Sequence, residues 1–145
     1  RRRHTRLLTV TGVQTCALPI YYVKIAKDIA AKTGGSIEIT HDPKTAAKDA
    51  SVIYTDVWMS MGDPESERKE KIEVLAPFSI TESLMSLSAK DSIFMHCLPA
   101  HRGEEVESSV IDGEKSRIWR EAYHRRTTIQ AILYHLTRNE IKGNK

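Results

Sequence analysis

The chain has 145 residues, with 22 Lys or Arg and 19 Asp or Glu, so its formal net charge at pH 7 is +3. Residues 1–20 hold four Arg and no acidic residue, which leaves 18 basic against 19 acidic residues in the remainder and no basic block with interleaved aromatic residues. This charge balance argues against nucleic-acid binding. The length suits one domain. The sequence also has no apolar run of the roughly 18 residues that would span a membrane.

The first twenty residues, RRRHTRLLTVTGVQTCALPI, have the cationic start and apolar continuation of a secretory leader. Thr, Gly and Gln interrupt the apolar part, however, and the stretch also reads as an in-frame translation of a common sequencing adapter. A natural basic tail is the alternative. We therefore predict that residues 1–20 are an artefactual, disordered tail, and that residues 21–145 form the functional domain fragment. This leaves Cys97 as the single cysteine, which fits a reducing compartment.

Helix and strand signals alternate at short spacing after residue 20. Residues 21–35 place apolar side chains on one helical face before two glycines that favour a helix end, and residues 36–40 (SIEIT) predict a strand. Residues 41–50 predict a second helix, with Asp42 as its N-cap and Pro43 in its first turn. The apolar face of the first helix consists of Val23, Ile25, Ala26, Ile29 and Ala30.

Residues 51–58 (SVIYTDVW) form an apolar run that is typical of a buried parallel strand. Strands separated by helices imply right-handed crossovers, so we predict an α/β fold with a doubly wound, mostly parallel, Rossmann-like sheet. The remaining predictions are, in order, a charged helix in residues 64–76, a short helix in 81–89 capped by Thr81, a strand in 91–100 that ends near Cys97, and a helix in 121–137.

Two polar segments, TDVWMSMG and MHCLPAHRGEE, follow predicted strands, so both are expected at the ligand-binding edge of the sheet. Asp56 stands where an apolar strand turns polar, and a partly desolvated carboxylate there favours an ammonium group, with a capping role as the equal alternative. Ser60, Met61 and Gly62 are suited to a loop that closes over a ligand, but an ordinary surface turn explains them as well.

Cys97 follows a strand at a position where backbone dipoles favour a thiolate, although most free cysteines are simply small buried hydrophobes. Direct pairing with His96 is not expected, because adjacent strand residues point to opposite faces. A zinc site is weakly indicated, since no second Cys and no closely spaced His pair is present. Candidate members of the same edge, each with a surface role as the alternative, are Arg102, Glu104, Glu105 and Arg125.

The motifs HCLPAHRGEEV and YTDVWMSMG resemble those of the carboxyl-terminal half of ornithine carbamoyltransferases, over about residues 25–133. The resemblance implies transfer of a carbamoyl group from carbamoyl phosphate to the side-chain amine of L-ornithine, which gives citrulline and phosphate. It also implies a cytoplasmic enzyme with no metal or organic cofactor, whose full-length form is a homotrimer.

The resemblance further implies a role for each matched residue. Asp56 would hold the α-amino end of ornithine, with Ser60 and Met61 on the mobile loop that closes over it. Cys97 would lie beside the ornithine amine. The Leu98 carbonyl would accept a hydrogen bond from the carbamoyl NH2 group, and Arg125 would contact the carbamoyl oxygen.

The sequence departs from the family in two ways. It contains no Ser-Thr-Arg-Thr-Arg phosphate-binding loop, so we expect it to be a fragment that is inactive without an amino-terminal domain. Its last helix reads EAYHRRTTIQAIL, in which Arg125 stays in register but Thr127 replaces a histidine. Three alternatives remain open: a carbamoyltransferase for putrescine or a modified ornithine, a non-catalytic amino-acid-binding remnant, and a fragment that misfolds because its interdomain surface is exposed.

Overall fold

The structure is a computed structural model that describes residues 6–10, 20–59 and 62–142, and it describes side chains for residues 21–59 and 62–138. Four strands are described: β1 (Arg6–Val10), β2 (Ser36–Thr40), β3 (Val52–Thr55) and β4 (Ile93–His96). The α-helices are α1 (Ile20–Thr33), α2 (Pro43–Ala47), α3 (Arg68–Leu75), α4 (Glu82–Met85), α5 (Ser108–Ile111) and α6 (Ile118–Lys142), and short 3₁₀ turns at Glu65–Glu67 and Ala76–Phe78 flank α3.

The strands pair in parallel, as predicted, but they form two separate two-stranded ladders. Strand β1 pairs with β2, and β3 pairs with β4, with Thr55 opposite His96 at the carboxyl end. The α/β class is therefore confirmed, whereas a ladder from β2 to the later strands is not found in the described residues. Strand β1 also lies inside residues 1–20, which we expected to be disordered; the origin of that segment stays a prediction.

Local sequence signals account for the helix ends. The Asp42 carboxylate accepts hydrogen bonds from the backbone N–H groups of Lys44 and Thr45, and the Thr81 hydroxyl accepts one from Leu84, so both predicted N-caps are confirmed. Helix α1 ends before Gly34, whose φ of +77° is a conformation that glycine adopts without steric cost. Helix α6 begins three residues before and ends five residues after its predicted limits.

A compact core packs around strands β3 and β4. Phe94 of β4 is fully buried, and hydrogen bonds tie its N–H to the Lys115 carbonyl (2.9 Å) and its carbonyl to the Arg117 N–H (2.9 Å). Because α6 starts at the buried Ile118, this short parallel contact fixes where the long helix leaves the sheet. The core consists of Ala47, Ile53, Ile80, Leu84, Met85, Phe94, Val106, Val110, Ile111 and Ile118.

The two long helices bury little apolar surface. The predicted apolar face of α1 is half-buried at Val23, Ala26 and Ala30 and exposed at Ile25 and Ile29. None of the helices in the described part of the chain combines the length and the hydrophobicity that a membrane span requires. The exposed large apolar residues of α6 are Trp119, Tyr123, Ile129, Ile132, Leu133, Tyr134 and Leu136.

Candidate functional site

The parallel register of β3 and β4 brings Asp56 and Cys97 together, because each follows one of the last paired residues, Thr55 and His96. The Cys97 thiol donates a hydrogen bond to Asp56 Oδ1 across 2.8 Å, although the two residues are 41 positions apart in the chain. The prediction that the two polar segments share one edge of the sheet is therefore confirmed.

Asp56 is an exposed residue, which corrects the expectation of a desolvated carboxylate. Its Oδ1 atom accepts a second hydrogen bond from the Val57 N–H at 2.7 Å, so the side chain also caps the turn that follows β3. The carboxylate is thus held in a fixed orientation while it faces solvent. This arrangement suits a group that receives a cation from outside.

Cys97 is half-buried, and its environment disfavours the thiolate. Burial first and the neighbouring Asp56 carboxylate second raise the pKa of the Cys97 thiol above its usual value. The sequence suggested that backbone dipoles would favour a thiolate here, and the structure contradicts this. At neutral pH the Cys97 sulfur therefore keeps its proton, and the S–H group donates a hydrogen bond to Asp56 Oδ1.

Tyr54 joins the same edge to helix α6, a contact that the sequence analysis missed. Its hydroxyl donates to Glu121 Oε1 at 2.8 Å, and burial together with Glu121 raises the pKa of the Tyr54 phenol. In the sequence Tyr54 reads only as an aromatic strand residue, since its partner lies 67 positions away. No local spacing signals a pair of this kind.

Arg125 reaches the edge from the second turn of α6. One of its guanidinium nitrogens, Nη1, donates to the Cys97 carbonyl oxygen at 2.5 Å, and the side chain is otherwise exposed. Of the two alternatives left open for Arg125, proximity to the site is thus the one confirmed. A guanidinium carries five N–H donors, so this bond leaves others for a ligand.

Leu98 adopts a left-handed backbone conformation, with φ of +56°. Its N–H donates to His96 Nδ1 at 2.8 Å, and His96 is buried on the opposite side of the strand from Cys97, as the alternation of strand residues predicts. A left-handed non-glycine residue costs energy, which this hydrogen bond helps to offset. The buried His96 imidazole therefore stabilises the turn that carries the Leu98 carbonyl.

Ion pairs and a hydrogen bond to a carboxylate stabilise the loop after Leu98. Arg102 forms a bidentate ion pair with Asp112 (2.8 and 2.9 Å), and Glu104 pairs with Arg68. Glu105 is fully buried and accepts a hydrogen bond from the His101 N–H at 2.5 Å. Of the four candidate members of the edge, only Arg125 contacts the Asp56–Cys97 pair through hydrogen bonds.

A cavity of about 420 Å³ lies between the segment after β3 and the loop after β4. Gly62, with φ of +131°, occupies a conformation that L side chains rarely adopt, which explains a glycine at this bend. Ser60 and Met61, the predicted substrate-closing residues, lie outside the described residues. The cavity is lined by Val57, Met59, Asp63, Glu65, Arg68, Pro99 and His101.

Comparison with known proteins relates this architecture to one family. The family model for aspartate/ornithine carbamoyltransferase, Asp/Orn binding domain, matches residues 5–136. The ornithine carbamoyltransferase of Pyrococcus horikoshii is 50% identical over 111 residues, covering 77% of this chain and 35% of that protein. The chain therefore spans about a third of the length of the curated relatives it matches.

Solved structures agree with the sequence comparison. The ornithine carbamoyltransferase of Pyrococcus furiosus is similar with a TM-score of 0.74 and 47% identity, over 79% of this chain and 36% of that chain. An N-acetyl-L-ornithine transcarbamylase variant is similar with a TM-score of 0.76 and 27% identity, over 91% of this chain and 40% of that chain. The chain thus resembles one part of these larger enzymes.

Proposed function

The chain belongs to the aspartate/ornithine carbamoyltransferase family, and we propose that it is the amino-acid-binding part of an ornithine carbamoyltransferase. The observation that carries the proposal is the joining of three distant residues at one sheet edge. The Cys97 thiol donates to Asp56, and Arg125 donates to the Cys97 carbonyl. These bonds hold three chemical groups side by side. The Asp56 carboxylate can bind an ammonium group, the Cys97 thiol is neutral, and the Arg125 guanidinium can stabilise a developing negative charge.

The proposed reaction joins the side-chain amine of L-ornithine to the carbonyl carbon of carbamoyl phosphate. A C–N bond forms, the bond from that carbon to the phosphate oxygen breaks, and the nitrogen loses a proton to give citrulline and phosphate. No atom changes oxidation state, so the reaction needs no electron-carrying cofactor. Catalysis then depends on proximity and on stabilising the oxyanion that develops on the carbamoyl oxygen.

We assign Asp56 to the α-ammonium group of ornithine. Its carboxylate is fixed by the Val57 N–H and is exposed, so it can exchange a contact with the Cys97 thiol for one with substrate. The raised pKa of Cys97 supports a position beside the reacting amine. A thiolate there would stabilise the non-nucleophilic ammonium form, whereas a neutral thiol does not.

We assign Arg125 to the carbamoyl oxygen and the Leu98 carbonyl to the carbamoyl NH2 group. The guanidinium is always charged and can keep its bond to the Cys97 carbonyl while it donates to a ligand. The Leu98 turn is held by His96, which limits the movement of its carbonyl. Ser60 and Met61 complete the proposed ornithine site as closing residues.

We further propose that a second domain of the full-length cytoplasmic enzyme supplies the phosphate site, and that this enzyme is a homotrimer. The sequence has no Ser-Thr-Arg-Thr-Arg segment, and a doubly charged phosphate needs several cations or helix N-termini to bind. Carbamoyl phosphate would thus be shared between two domains, and ornithine would be held largely by this one.

The test is citrulline formation by a chimera in which residues 21–145 replace the matching part of the Pyrococcus furiosus enzyme. We expect the chimera to form citrulline and the 145-residue chain alone to form none. Asp56→Asn should abolish detectable turnover, whereas Asp91→Asn, a matched change at an exposed aspartate, should leave it intact. A folded chimera that is inactive, or whose activity survives Asp56→Asn, would contradict the proposal.

A second candidate is carbamoyl transfer to a modified ornithine, which the similarity to an N-acetyl-L-ornithine transcarbamylase favours. Such a substrate lacks the free α-ammonium group that Asp56 would bind. Rates of carbamoyl transfer by the same chimera, measured in parallel with ornithine, N-acetylornithine and putrescine, distinguish these two hypotheses. A non-catalytic remnant would instead bind ornithine measurably without carbamoyl phosphate, and titration calorimetry of the chain tests this.

A further inference from the structure

The loop between Leu98 and α5 contains a cluster of three side chains that the proposed reaction does not use. These are His101, Glu104 and Glu105, and one ligating atom from each lies within 4.8 Å of the others. His101 and Glu104 are half-buried, and Glu105 is fully buried. A carboxylate without solvent access is costly unless a partner compensates its charge.

The partners that the protein provides do not satisfy this cluster. Within the described residues, six buried side-chain atoms have no hydrogen-bond partner, and His101 Nδ1, Glu104 Oε2 and Glu105 Oε2 are three of them. Each such atom costs about 1–3 kcal/mol. Three of these six atoms therefore lie in one loop. This grouping indicates a site for a group that accepts electron pairs from all three.

Neighbouring contacts occupy the other polar atoms of these residues. Glu105 Oε1 accepts the His101 N–H, which leaves Oε2 facing His101 Nδ1 across 3.9 Å. Glu104 uses Oε1 for its ion pair with Arg68, which leaves its buried Oε2 without a hydrogen-bond partner. The buried His96 is not a further ligand, because its Nδ1 accepts the Leu98 N–H and its Nε2 therefore carries the proton that faces Glu105 at 3.4 Å.

We propose that His101, Glu104 and Glu105 bind a zinc ion. One imidazole nitrogen with two carboxylate oxygens is a donor set that suits Zn²⁺, whereas Mg²⁺ and Ca²⁺ prefer oxygen ligands alone. Ligands at about 2.0–2.2 Å from zinc stand roughly 3.3–3.6 Å apart, so the cluster must contract by about 1 Å. The His101 side chain is 41% exposed and can rotate to do so.

The surroundings suit a cation that enters from solvent. His101 and Arg68 also line the 420 Å³ cavity, which provides the path of entry. Two carboxylates against one guanidinium leave the cluster with a net negative charge before the ion binds. The site is three residues from Leu98, so a bound ion would cross-link the loop that carries the proposed carbamoyl contact.

The experiment is calorimetric titration of the folded 145-residue chain with Zn²⁺, with Co²⁺ as a spectroscopic probe. We expect one ion per chain, visible Co²⁺ bands of a low-coordinate nitrogen and oxygen site, and affinity at least about tenfold weaker in His101→Ala, since even outer-shell changes cost this much. Glu104→Gln should weaken binding similarly. His135→Ala, at an exposed helix position, is the matched control and should change nothing.

Three outcomes would overturn the inference. One is equal zinc affinity in the parent chain and both loop variants, which would place the ion elsewhere. Another is no saturable binding by a chain whose circular dichroism shows it folded. The third is a doubly protonated His101 in ¹⁵N NMR spectra that does not respond to Zn²⁺, which would make a proton the missing partner.

Discussion

The region around β3 and β4 and the two long helices differ in how much of their apolar surface the chain itself buries. Phe94 in β4 has no exposed surface, whereas Leu136 near the end of α6 is 70% exposed and Tyr21 in α1 is equally so. The site residues Asp56 and Cys97 belong to the well-packed region. The core of this domain therefore positions the candidate site by itself, while the long helices carry exposed apolar surfaces of the kind that contact other protein.

The largest effect expected is on stability. Phe94→Ala should lower the free energy of unfolding by about 3–5 kcal/mol, because it leaves a cavity in the centre of the core. Leu136→Ala, a truncation of similar chemistry on an exposed face, should change it by less than about 0.5 kcal/mol. Urea denaturation of both variants measures the contrast. Equal losses would show that α6 is packed in solution and would remove the distinction between the two regions.

The second prediction concerns Arg125, the α6 residue that donates to the Cys97 carbonyl. In the chimera, Arg125→Ala should lower the rate of citrulline formation by about 10²–10³, because a charged donor to the carbamoyl oxygen is lost. Its neighbour Arg126, which stacks over the Tyr123 ring on the exposed helix face, is the matched control. Arg126→Ala should leave the rate within about twofold of the parent. Similar losses in both variants would indicate a general helix defect.

The third prediction follows from the raised pKa of Cys97. Because only the thiolate reacts, alkylation of Cys97 in the native chain by iodoacetamide, followed by mass spectrometry of the peptide that contains Cys97 and not Cys16, should be slow at pH 7 and rise about tenfold per pH unit until the pH passes the raised pKa. Asp56→Asn removes a neighbouring anion and should move this rise to lower pH. The unfolded chain in urea is the control, with its rise near the ordinary thiol value. A native profile below that of the unfolded chain would refute the assignment.

The same shift has a consequence for stability. A folded-state pKa above the unfolded value means that the native state holds the thiol proton more tightly. The stabilisation is therefore fully present below the unfolded pKa and is lost as the pH rises through the folded pKa. The unfolding midpoint should fall over that alkaline window in the parent chain and less steeply in Cys97→Ser.

The smallest effect expected is at a helix cap in the well-packed region. Thr81→Ala removes the hydroxyl that accepts the Leu84 N–H and should cost about 1 kcal/mol. Thr81→Ser keeps the acceptor and should recover most of the loss. Thermal unfolding of the two variants checks this, and an equal loss in both would mean that the methyl group, not the cap, matters.

Much of the candidate site was predictable because parallel strands end at a common edge. Asp56 and Cys97 each stand directly after an apolar strand, and Leu98 follows Cys97, so their proximity followed from the alternation of strands and helices. Arg125 was predicted from the resemblance, and the structure brings it to the Cys97 carbonyl. The protonated state of Cys97 was not predictable, since it depends on burial and on a carboxylate 41 residues away.

Features that depend on neighbours a few residues apart could be predicted from the sequence alone. They are the caps at Asp42 and Thr81, the helix end at Gly34 and the two polar strand ends. These follow from local hydrogen bonds and steric limits on the backbone. Three other features became visible only in the folded chain: the two separate strand ladders, the Tyr54–Glu121 hydrogen bond, and the approach of His101 Nδ1 to Glu105 Oε2. Such contacts depend on how whole elements pack, which no local pattern encodes.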